Sequence, residues 1–119
     1  MSMYRYLDVS EHDDTIIVRI RAHRLLVDQW LVTNVGDELE EVAARSDCYK
    51  LVVDLSGVVD LSSLMLGLLV MLRRKMASKR GHLVLCGLNA EVQEFFDETM
   101  LSQLLEIRAN EAEALAELV

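Results

Sequence analysis

Asp54 and Asp60 flank a small polar turn and are close enough in sequence to share a rim, where paired carboxylates can pass protons as general acid and base. No third group or pocket-forming motif accompanies them, so Asp54, closing a short apolar run, reads as a carboxylate that hydrogen-bonds the backbone of the turn. His12, His23 and His82 are scattered, without an HExxH pair or neighbouring ligands, and point to no metal site. Cys48 and Cys86 lack metal-ligand spacing; Cys86 ends an apolar run and reads as a small hydrophobe. No GxGxxG, GxxxxGK[ST] or GxSxG occurs, so the sequence offers no catalytic constellation and implies no cofactor. What remains is a pair of hydroxyls, Ser62 and Ser63, standing directly before a helix-forming series.

A serine at that place can accept hydrogen bonds from the unpaired N–H groups of the first helical turn. Helical geometry separates the two. At about 100° per residue, Leu61, Met65, Leu68, Leu69, Leu72 and Met76 share one side, which is the expected core side. Ser63 falls roughly opposite, in one stripe with Gly67, Val70 and Arg74, while Ser62 lies nearer the core edge. Two readings follow: both serines act only as caps, or Ser63 is the one a second protein can reach. Leu64, Leu66, Val70 and Met71 carry the apolar surface beyond a core stripe, so this helix is either covered by more of its own chain or keeps an apolar patch for a partner.

The elements that position this pair are legible around it. Lys50 to Leu55 (KLVVDL) predicts a strand buried on both faces, and Ser62 to Lys79 the helix, with Gly81 as its stop. Before them, Tyr4–Val9 and Thr15–Ile20 predict a hairpin with a loop longer than two residues. Arg21–Val27 has no clear pattern. Asp28 predicts the N-cap of a helix through about Arg45, with Leu31, Val35, Leu39 and Val42 inward and Trp30 packed at its start. After them, His82–Cys86 repeats the buried-strand signature, and Asn89 caps a helix through about Thr99 with Val92, Phe95 and Phe96 inward. Leu104–Ile107 predicts a last strand and Asn110–Val119 a last helix, resting on Ala112, Leu115, Ala116 and Val119. From Lys50 the order is βαβαβα, which places parallel strands under helical crossovers and makes the chain α/β with a leading hairpin.

With 119 residues, one domain is expected, burying roughly two thirds of its unfolded surface. The formal charge of −8, from 12 Lys and Arg against 20 Asp and Glu, argues against a nucleic-acid partner. The one cationic cluster, Arg73 to Arg80, suits a helix C-terminus. Apolar runs stop well short of the roughly 20 residues of a spanning helix, so no membrane insertion is expected. Reduced thiols and the lack of a secretory leader predict a cytoplasmic protein. Nothing in the pattern sets the oligomeric state.

The stretches LVVDLSGVVDLSSLMLGLL and GHLVLCGLNAEVQEFFDETMLSQLLEI resemble the STAS domain, typified by bacterial anti-sigma-factor antagonists, over nearly the whole chain. The family follows its DLSGV-like strand with a hydrophobic pair, Asp-Ser-Ser or Asp-Ser-Ala, Gly, then Leu-Gly. Here Ser62 takes the aspartate position, Ser63 the phosphorylatable serine, Leu64 the small residue, Met65 the glycine, and Leu66-Gly67 the closing pair. Met100 stands where the family usually has glycine before leucine.

The resemblance implies a single STAS domain over residues 1–119, with a mixed sheet of about five strands. It also implies a non-enzymatic switch in transcription regulation. An anti-sigma factor with serine-kinase activity would bind the face formed by Ser62, Leu64, Leu66, Gly67, Val70 and Arg74, then phosphorylate Ser63, with Ser62 the second choice. A cognate phosphatase would restore binding. The alternative expectation is a STAS module that docks without switching, as a scaffold in a stress-signalling complex or an accessory subunit of a transporter.

Overall fold

The computed structural model describes residues 4–119. Its centre is a five-stranded sheet in the order β1-β2-β4-β6-β7, formed by β1 (Leu7–His12), β2 (Thr15–Ile20), β4 (Lys50–Asp54), β6 (His82–Cys86) and β7 (Glu106–Arg108). β1 and β2 pair antiparallel, and every later pairing in the sheet is parallel. The α/β class and the mixed five-stranded sheet are those the sequence predicts. The hairpin differs: His12 pairs with Thr15, so the connection is the two-residue Asp13-Asp14, not a longer loop. Asp13 makes that tight turn possible by taking φ 53, a left-handed conformation that a short polar side chain tolerates.

Alternation along the strands builds two unequal cores. Leu51, Val53, Leu83 and Leu85 face α1 (Gln29–Ala43) and α2 (Ser63–Ser78), in a large cluster closed by Phe96 of α3 (Ala90–Thr99). Val52, Val84 and Cys86 face the other way, where, among the described residues, α4 (Glu111–Glu117) covers them with Ala114 and just-following Leu118. That is why β4 and β6 read as continuous apolar runs. The phase predicted for α4 is wrong: Ala112, Ala116 and Val119 are exposed, and Ala114 and Leu118 point inward. Arg19 of β2 grips Glu111 with two hydrogen bonds of 2.6 and 2.7 Å, which sets the rotation of this short helix and turns the residues three and seven further on toward the sheet.

Four helices start on a polar cap: Asp28, Ser62, Asn89 and Asn110 each accept an N–H from three residues ahead. Trp30 does not pack; it is 61% exposed, because the buried stripe of α1 is Val32, Val35, Leu39, Val42 and Ala43, and Trp30 lies about 200° round from Val32. The unplaced segment after β2 contains β3 (Arg24–Leu25), which pairs in parallel with β5 (Asp60–Leu61) as a separate two-stranded ribbon. Leu101–Leu104, partly predicted as strand, is a 3-10 turn, and the strand begins at Glu106. Among the described residues no helix is long and apolar enough to cross a membrane.

Candidate functional site

β4 ends at the C-terminal edge of the sheet, and its chain returns through the β5 ribbon to start α2. Five contacts hold that path. The Asp60 carboxylate accepts the Leu25 N–H at 2.8 Å, and Arg24 approaches the same group at 3.4 Å. Asn89 donates to the carbonyls of Val58 at 3.2 Å and Val59 at 3.1 Å while its own oxygen caps α3. The Ser62 N–H donates to the Leu25 carbonyl at 2.8 Å. The start of α2 is therefore held from two sides before any partner arrives.

The two serines then divide. Ser62 is half-buried and its hydroxyl accepts the Met65 N–H at 3.1 Å, so it is the N-cap. Ser63, the first helical residue, is exposed, and no acidic side chain lies in the first turn of α2. Along the same outer stripe, a Cβ built on Gly67 meets nothing within 4 Å, Val70 is half-buried, and Arg74 is exposed. Leu64 and Met71 stand beside the stripe, 45% and 62% exposed.

Leu66 corrects the sequence reading. It was expected on the partner face, yet it is fully buried in the main core. α1 packs on the Leu68 flank of α2, where Leu68 lies against the face of Gly36, and Leu66, about 200° round from Leu68, belongs to the main core cluster. The apolar surface near Ser63 comes instead from residues the sequence did not single out. Leu26, Val27 and Val59 are 52%, 84% and 43% exposed. The Ser62–Leu25 bond brings the first two alongside the helix start, and Leu26 and Val59 rim a cavity of about 190 Å³ floored by Leu61, Val92 and Phe95. Apolar residues inside the irregular Arg21–Val27 segment gave no periodic signal; the ribbon pairing reveals them.

Asp54 and Asp60 do not act as a pair. Asp60 is spent on the ribbon, and the Asp54 carboxylate accepts the Ser56 N–H at 2.8 Å. Burial first, and then the Glu111 carboxylate, push the Asp54 carboxyl above its ordinary value, while Arg19 holds Glu111 below it. This joins the sheet edge to α4. His23 bonds the Gly57 carbonyl at 2.8 Å, steadying the turn. Both thiols are buried, and burial with nearby Asp54 pushes Cys86 up to about 12.

The sequence model of the STAS domain matches residues 6–114. The chain belongs to the STAS domain family. This STAS domain is 25% identical over 112 residues to an anti-sigma F factor antagonist of Paenibacillus polymyxa, covering 94% of this chain and 93% of that one. Its fold is similar to that of an anti-sigma factor antagonist from Mycobacterium paratuberculosis, with TM-score 0.81, 22% identity, and 93% and 91% of the two chains covered. It is also similar to the Bacillus cell fate determinant SpoIIAA in its phosphorylated form, with TM-score 0.68, 15% identity, and 95% and 99% covered.

Proposed function

We propose that this STAS domain is an anti-sigma factor antagonist whose binding to an anti-sigma factor with serine-kinase activity is switched off by phosphorylation of Ser63. The observation that carries the reading is the division of labour at the start of α2: Ser62 is committed to capping and Ser63 is left exposed next to Leu64, at a helix start bonded to the ribbon segment that carries the exposed Leu26 and Val27. The P. polymyxa relative is named as an anti-sigma F factor antagonist, and SpoIIAA has been seen phosphorylated.

The energetics favour a switch in which fold and docking respond in opposite ways. A phosphate on Ser63 adds roughly −1.5 to −2 of charge at a helix N-terminus, where the peptide dipoles welcome it. In a complex covering the rim, the same charge is stripped of water among apolar side chains, which costs several kcal/mol unless a cation meets it. Binding is lost and the domain stays folded. A phosphatase reverses the change.

Incubation with the cognate kinase and ATP, followed by mass spectrometry of peptides, should find one phosphate, on Ser63. Ser63→Glu should lose the complex in a pull-down or by calorimetry. No phosphate at that position overturns the switch. A complex that survives Ser63→Glu indicates instead a STAS module that docks without switching.

A further inference from the structure

Most cations in the chain meet a carboxylate within ion-pair distance, such as Arg19 with Glu111, Arg45 with Asp47 and Lys75 with Glu40. Lys79 is turned onto the carbonyls of Ala43 and Arg45, closing the end of α1. Arg73 and Arg80 do neither. With His82 they line one open cavity of about 440 Å³ at the far end of α2, whose remaining walls include Leu83 and Glu106. Among the described residues, none of these three side chains has an ion-pair or hydrogen-bond partner, so the cavity holds two guanidinium groups that the fold does not use.

The charge expected at a helix C-terminus does not account for them. The Met76 and Ala77 carbonyls already accept N–H groups from Lys79, Arg80 and Gly81, and the cation of the last turn is Lys75, which is paired. Arg80 also sits at φ 61, a backbone region that glycine enters freely, yet the position carries a guanidinium.

We propose that this cavity docks an acidic segment of a partner protein. The chain carries −8 overall, which repels extended polyanions such as nucleic acid or an anionic bilayer at long range. Within a Debye length of roughly 8 Å the local cations dominate, so a short run of carboxylates is attracted where a long polyanion is not. Two guanidinium forks suit carboxylates by bidentate pairing. The exposed Glu106 on the rim suits a mixed-charge protein surface and disfavours a dense phosphate group. The site opens at the N-terminal ends of β6 and β7, and Ser63 lies at the other end of a helix about 24 Å long, so both surfaces can be occupied together and this inference stands apart from the serine switch.

The test is an NMR titration of the ¹⁵N-labelled protein with a short peptide of alternating glutamate and glycine. Shifts are expected at the amides of Gly81, His82, Leu83 and Glu106, with affinity falling several-fold between about 50 and about 200 mM salt. Arg73→Glu combined with Arg80→Glu should weaken the response at least about tenfold. Arg80→Gly, which suits its backbone, should weaken it by a smaller factor, and Ser63→Glu should leave it unchanged. Absence of shifts at those amides overturns the proposal, as does a response that survives the double charge reversal. A tighter response to inorganic phosphate, phosphatidylglycerol vesicles or duplex DNA overturns the assigned occupant, and loss of the response in Ser63→Glu overturns a separate site.

Discussion

At its N-terminal end α2 shows a capping hydroxyl, a free hydroxyl and an exposed apolar rim; at its C-terminal end it shows uncommitted guanidinium groups above an open cavity. Both ends rest on one inner stripe of Met65, Leu69, Leu72 and Met76, sealed against the sheet. The contrast extends to the glycines. Gly67 faces open space on the outer stripe, whereas a Cβ on Gly81 would meet the Tyr49 carbonyl at 2.8 Å and the Met76 carbonyl at 3.1 Å. A helix whose inner stripe and Leu66 flank secure the fold can leave its outer ends to separate tasks. Chemical change at the serine end should therefore move binding more than stability, and change at the sealed positions should do the reverse.

The sharpest way to break this comparison is Leu66→Ala. If the buried flank is structural, unfolding in urea should show a loss of about 2–5 kcal/mol. A stable variant that fails only to bind would return Leu66 to the partner face. Next, Ser63→Glu should weaken the complex about 100-fold or more, from the stranded charge, with the melting temperature held or slightly raised. Gly81→Ala should lower stability by about 2–3 kcal/mol in thermal melts, because backbone atoms block the new methyl. Ser62→Ala removes the cap and should lower stability by about 1 kcal/mol, where Ser63→Ala changes it little. The smallest effect sharpens the picture: Gly67→Ala should raise stability by about 0.5–1 kcal/mol, and if partners dock on its stripe the added methyl should lower their affinity.

Arg80 and Met100 make a second point about the same chain. Both hold positive φ, at 61° and 62°. Met100 stands where the STAS pattern usually has glycine, and the backbone keeps the left-handed geometry even though the side chain does not favour it. The turn into the Leu101–Leu104 segment is set by the fold, and the residue conforms.

Periodicity and capping chemistry were enough to place β4, α2, β6 and α3 nearly to the residue, because the strands are strong apolar runs and each helix is opened by a residue, Ser62 or Asn89, that can accept a first-turn N–H. The outward phase of Ser63 was legible for the same reason: a helix repeats every 3.6 residues wherever it lies. The sequence could not show the β3–β5 ribbon, whose two-residue strands are too short for any period, nor therefore the exposed Leu26, Val27 and Val59 that the ribbon brings beside the serine. Burial of Leu66, rotation of α4 and the meeting of Arg73, Arg80 and His82 were likewise decided by tertiary structure. Each depends on which distant segment covers a flank, and local propensity carries no record of that.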